Sequence, residues 1–290
     1  MTATSEMRVH RFSAMASPCE VRVDNPDPML ALHLGQIGET EAQRIEIKYS
    51  RYRDDSVITK INTSRGEPIT VDDETAALLD YADSCYRLSN GLFDVTSGVL
   101  RRIWKFDGSD NVPSKSQVNE ILPFIGWDKV TWRRPELILP EGMEIDFGGL
   151  GKEYAVDSAT LKIMQVSDAP ILVNFGGDLR VSGPRTGNRR WVVAIESVDS
   201  DSASTARLEI ASGALTTSGD ARRFLLKDGV RYSHILDPRT GWPVKDPPRS
   251  VTVAAPTCME AGVISTLAML QGKKAEKFLK REGVQSWVAR

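Results

Sequence analysis

The chain has 290 residues, of which 41% are hydrophobic and 26% are charged, and its formal net charge at pH 7 is −2. This length allows a sizeable buried core, and the composition is typical of a soluble globular protein. Lysine and arginine are dispersed along the chain, which argues against nucleic acid as a partner, and no apolar run is long enough for membrane insertion.

Cysteine usage and the N-terminus indicate the compartment. Cys19, Cys85 and Cys258 are odd in number and far apart, so they offer neither a disulfide framework nor the spacing of a zinc site. We interpret them as buried thiols. Residues 1–10 lack the apolar core of a secretory signal, so a cytoplasmic location is expected, with a mature exported form as the alternative. We expect a flexible N-terminus at 1–7 and one domain over 8–290.

Hydrophobic periodicity predicts strand pairs mixed with helices. Val21 and Val23 alternate with charged neighbours, which predicts two strands within 8–24 around a turn at Ala16. A helix is predicted at 28–49, although Gly35 and Gly38 weaken it. The other predicted helices lie at 74–90, 116–125, 151–166, 258–271 and 273–282. The other predicted strands lie at 128–132, 136–139, 171–175, 191–196, 206–211, 224–227, 250–255 and 284–288. This mixture favours an α+β fold over a doubly wound sheet.

Five segments combine glycine with polar or ionisable residues, and they interrupt the regular pattern. They are 91–98, 146–157, 174–178, 216–220 and 233–241. Each alone is a weak signal. Residues 217–220, for example, also fit a capped turn. Five such segments in one chain together predict the walls of a single polar, phosphate-sized site.

The segment at 146–157 runs from a strand through glycines into a helix that opens near Lys152. Glycines let backbone N–H groups approach a ligand closely, and a helix N-terminus with a lysine favours phosphate. The spacing fits neither the dinucleotide-binding nor the P-loop fingerprint. A close turn with a solvated lysine is the alternative.

His234 is one of only three histidines and lies in a loop rich in turn residues. Pro238 fixes φ and Gly241 can adopt a positive φ, so the loop should be tight. Histidine is the side chain best suited to move a proton near neutral pH. A turn with a solvated histidine is the alternative.

In this order, the five segments resemble the ApbE-like FAD:protein FMN transferases, and the resemblance covers residues 15–272. Further matching positions are Met15, Arg51, Tyr52, Asp55, Ser56, Asn62, Ser265 and Thr266. The resemblance implies a T-fold-like α+β architecture, with mixed or antiparallel sheets packed by helices, that binds one FAD. It also implies a reaction that moves FMN from FAD onto a Thr or Ser hydroxyl of a client flavoprotein, through a phosphoester bond, with release of AMP.

The resemblance also implies residue roles. The positions that correspond to FAD-contacting residues are Met15, Tyr52, Leu92, Phe93, Asp94, Asp146, Lys152 and His234. An aromatic face such as that of Tyr52 suits a flavin or adenine ring. His234 corresponds to the general base for the acceptor hydroxyl, which is a poor nucleophile until a base takes its proton. A place in the core is the alternative for Met15 and Phe93.

The chain departs from the family at the magnesium site. Members commonly hold Mg²⁺ with an Asp and a Thr four residues apart on a late helix, plus a carbonyl of the glycine turn. Thr266 matches, with Ser265 beside it and the Gly149 carbonyl in the turn, but Gly262 occupies the Asp position. Glu260 is two residues away, which is about 200° around a helix, so it cannot substitute. Hard cations prefer carboxylates, so the resemblance implies a weakened site.

Three functions therefore stay open. The first is FMN transfer, the second is FAD binding without transfer, in storage or assembly, and the third is metal-dependent hydrolysis of FAD to FMN and AMP. The weakened metal position favours the second, whereas the first predicts a usable base at His234 and an exposed route for a client loop.

Overall fold

The computed structural model describes residues 6–195, 206–220 and 223–290. Two predictions extend beyond these residues: most of the flexible N-terminus expected at 1–7, and residue 196, the last of the strand predicted at 191–196. Met7 already belongs to the first strand. The strands, numbered along the chain, are β1 (Met7–Ala14), β2 (Ser17–Asp24), β3 (Ile69–Thr70), β4 (Thr131–Arg133), β5 (Glu136–Ile138), β6 (Ile171–Phe175), β7 (Asp178–Val181), β8 (Trp191–Ile195), β9 (Ala206–Ile210), β10 (Gly213–Gly219), β11 (Phe224–Lys227), β12 (Val230–Ser233), β13 (Leu236–Asp237), β14 (Trp242–Pro243), β15 (Ser250–Ala255) and β16 (Gln285–Ala289).

Helices occupy the intervals between groups of strands. The α-helices are α1 (Pro28–Tyr49), α2 (Val57–Asn62), α3 (Asp73–Leu88), α4 (Lys115–Ile121), α5 (Gly151–Met164), α6 (Cys258–Leu270) and α7 (Ala275–Glu282). Short 3₁₀ helices cover Val95–Arg102, Leu122–Phe124, Trp127–Lys129 and Gly272–Lys274. No helix in the described part of the chain has the length and apolarity that crossing a membrane requires.

The main sheet is antiparallel throughout and, among the described residues, has seven strands in the order β1-β2-β6-β7-β10-β15-β16. Helices α1 and α5 pack against each other and against one half of this sheet, while α6 covers β10 and β15. This arrangement confirms the predicted α+β fold with antiparallel sheets and helices packed on them.

Both faces of the main sheet are covered, and β6 shows how. Ile171, Val173 and Phe175 face the largest hydrophobic core, beneath the helices. Leu172 faces the opposite side, where it packs in a second core with Trp191 of the β8–β9 hairpin. Because successive side chains of a strand point to opposite faces, a strand covered on both sides is apolar at nearly every position.

Some predicted elements differ from the structure at their ends. The helix predicted at 116–125 ends at Ile121, where a 3₁₀ turn containing Pro123 follows. The strand predicted at 128–132 starts only at Thr131, because a 3₁₀ turn begins after Gly126, whose φ is 136°. The three cysteines are buried free thiols, which confirms their predicted role.

Candidate active site

The glycine turn begins at Asp146, whose backbone is fixed by two neighbouring elements. Asn62, at the end of α2, accepts a hydrogen bond from the Ile145 N–H at 2.7 Å and donates one to the Ile145 carbonyl at 3.0 Å. Gly98 packs directly on Asp146: a Cβ at Gly98 would lie 2.5 Å from the Asp146 Cβ. The segment 91–98 and the glycine turn therefore meet at Asp146.

Asp146 forms one polar group with Arg51 and Tyr52. Its Oδ2 pairs with the Arg51 guanidinium, and its Oδ1 accepts the Gly148 N–H at 2.9 Å. Arg51 also donates to the Tyr52 hydroxyl at 2.7 Å and lies 4.9 Å from the centre of the Tyr52 ring. Tyr52 is 80% exposed, so one aromatic face is available to stack on a planar ligand.

Lys152, at the start of α5, joins three of the five predicted segments. Its Nζ lies 2.5 Å from Oδ2 of buried Asp178, whose Oδ1 accepts the Thr217 N–H at 3.2 Å. A Cβ at Gly176 would lie 3.6 Å from the same Nζ. Burial opposes the charge, but Asp178 outweighs it and raises the pKa of Lys152, so the lysine stays cationic. Sequence reasoning found Lys152 but missed its partner.

Met15 lies in the two-residue turn of the β1–β2 hairpin, with φ of 52° at Met15 and 53° at Ala16. These angles match a type I′ turn, which seldom uses residues other than glycine, asparagine and aspartate. Ser17, the next residue, contacts Gly176, because a Cβ there would lie 2.8 Å from the serine Oγ. The turn with Met15 therefore borders the Lys152 region, and Met15 is packed partly against the main core.

Leu92, Phe93 and Asp94 lie just before the 3₁₀ helix Val95–Arg102, and all three are buried. The Phe93 ring contacts the glycine turn, 3.8 Å from where a Cβ at Gly149 would lie. The Asp94 carboxylate accepts the Thr96 N–H at 2.8 Å, the Thr96 hydroxyl at 2.6 Å and the Trp127 N–H at 3.2 Å. Asp94 thus caps the 3₁₀ helix, and its predicted contact with FAD stays a prediction.

His234 follows β12, and its ring has a defined proton arrangement. Nδ1 lies 3.2 Å from the Arg223 carbonyl oxygen, which can only accept, so Nδ1 carries the hydrogen. In the neutral ring, Nε2 is then the hydrogen-bond acceptor. Burial, followed by the charge of Arg223, lowers the pKa of His234 below its ordinary value of 6.5. A neutral imidazole with an acceptor nitrogen has the properties of a general base.

The loop that carries His234 is anchored to the rest of the site by packing. Phe106 makes an edge-to-face contact with the His234 ring, with centroids 6.2 Å apart, and stacks on Trp104. The Trp104 indole donates to the Gly241 carbonyl at 2.9 Å, which fixes the far end of the loop. Trp104 shares a hydrophobic cluster with Leu100 of the 3₁₀ helix that holds Gly98 against Asp146.

Helices α5 and α6 meet through carboxylates that sequence reasoning did not single out. Asp157 accepts the backbone N–H groups of Cys258 and Met259, both at 3.0 Å, and so holds the first turn of α6. One turn earlier on α5, Glu153 lies against Gly262: a Cβ there would be 2.6 Å from the Glu153 Cγ. Burial, followed by the negative charge of Asp178, raises the pKa of Glu153. Asp157 is the last residue of the segment 146–157, so the resemblance to the family offered a signal for it that was not used.

Hydroxyl groups lie one turn further along α6. Ser218 of β10 lies 2.8 Å from the Ser265 Oγ and 3.3 Å from the Thr266 Oγ1, and Ser265 donates to the Gly262 carbonyl at 3.0 Å. The hydroxyl groups of Ser265 and Thr266, which were predicted as metal ligands, therefore lie together beside Gly262. Within the described ranges, no group of three or more His, Cys, Asp and Glu side chains is placed to hold a metal. A cation here would need oxygens from hydroxyls, a single carboxylate and a substrate.

The fold and these groupings define an antiparallel α+β protein with a glycine-rich polar region and a histidine whose Nε2 is an acceptor. Comparison with known proteins gives the family. Residues 15–288 match the model of the ApbE family. The FAD:protein FMN transferase of Vibrio cholerae is 31% identical over a 239-position alignment that covers 80% of this chain and 71% of that protein. Its counterpart in Salmonella typhimurium is 30% identical over a 296-position alignment that covers 98% of this chain and 84% of that protein.

Solved structures agree with the sequence comparison. The crystal structure of the ApbE protein of Thermotoga maritima has a TM-score of 0.88 at 31% identity, and the match covers 98% of this chain and 94% of that chain. The flavin transferase ApbE of Vibrio cholerae has a TM-score of 0.83 at 27% identity, with 98% and 93% covered. The chain belongs to the ApbE family, which confirms the resemblance.

Proposed function

We propose that this chain is an FAD:protein FMN transferase, which moves FMN from FAD to a Thr or Ser hydroxyl of a client flavoprotein and releases AMP. The proposal is carried by the arrangement at His234, whose Nδ1 is committed to the Arg223 carbonyl and whose Nε2 is left as an acceptor. A group transfer to a hydroxyl needs such a base, and the matched relatives are transferases of this type.

In this mechanism His234 takes the proton of the acceptor hydroxyl at Nε2. The hydroxyl oxygen then attacks the FMN phosphorus of FAD, a new P–O bond forms, and the P–O bond to AMP breaks. Lys152 lies at the start of the helix, where its positive charge can balance negative charge on the pyrophosphate. The same ammonium group is also paired with Asp178. Asp146 and Arg51 would orient the ligand, and Tyr52 would stack on one of its rings.

Magnesium is part of the proposal. The protein donors would be the hydroxyls of Ser265 and Thr266 and the carbonyl of Gly149. The buried carboxylate of Glu153 lies against Gly262, on the same helix as the two hydroxyls. Mg²⁺, when bound, would polarise the phosphoryl oxygens and offset the charge that develops on them. One buried carboxylate fits this ion, because Mg²⁺ commonly uses one or two carboxylates together with substrate phosphates.

The activity is tested by incubating the protein with FAD and Mg²⁺, with and without a candidate client flavoprotein, and analysing the products by mass spectrometry. FMN bound covalently to the client supports transfer. Free FMN without labelled client would indicate a hydrolase instead. FAD that stays bound and unchanged would indicate a binding or assembly protein.

His234→Ala should remove most transfer and leave FAD affinity nearly unchanged. Removal of a general base typically costs about 10²–10⁴-fold in rate. His33→Ala is the matched control, since His33 is an exposed histidine on α1, outside the site. Transfer by His234→Ala within a few-fold of the His33→Ala rate would exclude His234 as the base.

A further inference from the structure

We propose that Glu153 supplies the carboxylate of the divalent-cation site, in place of the aspartate that the family commonly has at the position of Gly262. The inference rests on the proposed function, because it assigns a ligand within the same site. Glu153 lies on α5 and Gly262 lies on α6. The carboxylate would thus reach the cation from the opposite helix.

The first observation is the space at Gly262. A Cβ added there would lie 2.6 Å from the Glu153 Cγ, 3.1 Å from its Cδ and 3.0 Å from its Oε1. Side-chain atoms do not approach one another this closely, so the Glu153 side chain fills the volume that any larger residue at 262 would need. A glycine on α6 and a long acid on α5 are therefore complementary.

The second observation is the helix register, which holds Glu153 in place. Asp157 lies one turn after Glu153 and fixes the first turn of α6 through the N–H groups of Cys258 and Met259. Gly262 lies one turn after Cys258. Because residues four apart share a face of a helix, the contacts of Asp157 and Glu153 are consecutive steps of one antiparallel helix pair.

The third observation is an unpaired oxygen. Glu153 is 7% exposed, and its Oε2 is buried without a hydrogen-bond partner in the described part of the chain. A buried carboxyl oxygen with no partner is costly unless it is hydrogen-bonded, paired or bound to a metal. Lys152, the preceding residue, directs its Nζ to Asp178 at 2.5 Å. Lys152 is thus already engaged elsewhere.

The fourth observation is the set of neighbouring oxygens. Thr266 lies one turn beyond Gly262, with Ser265 and Ser218 close to it. A carboxylate with hydroxyl groups and a substrate pyrophosphate is the donor set that a hard cation prefers. One carboxylate alone holds such an ion weakly, so binding should depend strongly on FAD.

The test measures Mn²⁺ binding, not turnover, with Mn²⁺ as a paramagnetic substitute for Mg²⁺. Unbound Mn²⁺ is followed by electron paramagnetic resonance while the protein is titrated with and without FAD. We expect Glu153→Gln to raise the Kd for Mn²⁺ in the presence of FAD at least about tenfold, because loss of even an outer-shell partner costs about 10–100-fold. Glu260→Gln is the control, since Glu260 is an exposed acid on α6.

A second variant separates a metal ligand from a residue needed only for packing. Glu153→Ala combined with Gly262→Asp moves the carboxylate back to α6 and removes the atoms that a Cβ at 262 would meet. This double variant should restore Mn²⁺ binding to within a few-fold of the unmodified chain, whereas Gly262→Asp alone should lower stability.

The inference is overturned if Glu153→Gln binds Mn²⁺ as tightly as the unmodified chain, or if the unmodified chain with FAD binds none. Failure of the proposed function has a different signature. A protein that binds FAD and Mn²⁺ through Glu153 but never labels a client supports the inference and contradicts the transferase proposal.

Discussion

At the residue scale, the environment of His234 sets the pH range in which it can act. Nδ1 is held by the Arg223 carbonyl, and burial lowers the pKa of the ring below 6.5. A base acts in its unprotonated form. A lowered pKa therefore keeps His234 active in more acidic solution than a histidine with an ordinary pKa.

We predict that kcat/KM for transfer stays level from about pH 8 to below pH 6.5 and then falls as His234 takes up one proton. The measurement is a pH profile of client labelling at limiting FAD. His33→Ala should show the same profile, and the residual rate of His234→Ala should lack this step. A half-maximal point above pH 6.5 would contradict the inferred burial of His234.

Residue identity suggested chemical roles, which stay predictions, but it did not predict which residues contact one another. The glycine-rich segments pointed to Lys152, Asp146 and His234 as candidate site residues. In the structure, Asp146 begins the glycine turn and Lys152 lies at the start of α5, which follows that turn. The pairing of Lys152 with Asp178 and the contact of Glu153 with Gly262 were not predicted. Both depend on which strand and which helix become neighbours, and local sequence carries no information on that.

At the element scale, α1 shows how a helix with poor local propensity is stabilised by packing. Gly35 and Gly38 weakened its prediction, yet they are the points where the β1–β2 hairpin lies closest to the helix. A Cβ at Gly35 would lie 2.3 Å from the His10 Cβ, and one at Gly38 would lie 2.6 Å from the Val21 Cγ2. Both glycines are needed for close approach, which offsets their cost to the helix.

We predict that Gly38→Ala lowers the free energy of unfolding by about 1–3 kcal/mol through overpacking, although Gly→Ala inside a helix ordinarily stabilises by about 1 kcal/mol. Val21→Ala removes the opposing methyl, so the double variant should lose less than the sum of the two single losses. Urea unfolding of all four proteins measures this coupling. Gly183→Ala, where a Cβ would meet nothing within 4 Å, is the control. Additive losses would show that the contact is relieved elsewhere.

Strand β10 was not predicted from the sequence. Its residues are small and largely polar, and a capped turn was the alternative for 217–220, yet β10 lies inside the main sheet between β7 and β15. Its hydroxyls are satisfied by neighbours: Thr217 lies 2.8 Å from Thr252 and Ser218 lies 2.8 Å from Ser265. A strand that packs through hydroxyl groups lacks the alternation of apolar residues on which the prediction depends.

At the scale of the whole molecule, the α+β class followed from the mixture of elements, whereas the strand order did not. The sheet places β2 beside β6 and β7 beside β10, and these pairs are formed by segments far apart in the chain. Such long-range pairings bring the turns after β1 and β6 next to Lys152. The cytoplasmic location and the use of magnesium stay predictions.

A charge network joins three helices on one side of the molecule. Glu41 of α1 accepts hydrogen bonds from Arg44 at 2.8 Å and Lys162 at 2.6 Å, and Glu74 of α3 accepts them from Arg44 at 2.5 Å and Lys48 at 2.6 Å. Burial opposes the charge of Glu41, but these bonds outweigh it and lower its pKa to about 2. The bond from Arg44 is the main cause that lowers the pKa of Glu74 to about 2.

Both pKa values are depressed in the folded chain relative to about 4.5, so the network contributes stability above pH 4.5 and loses it as the pH falls toward 2. Because the partners Arg44 and Lys162 are exposed and solvent screens the pairs, we expect a contribution of about 1 kcal/mol per carboxylate, or about 2–4 °C in Tm. Glu41→Gln with Glu74→Gln should lower Tm at pH 7 and reduce its fall between about pH 5 and 3. Glu67→Gln, at an exposed acid, should change neither. An unchanged pH dependence in the double variant would show that other carboxylates determine the acid stability of this fold.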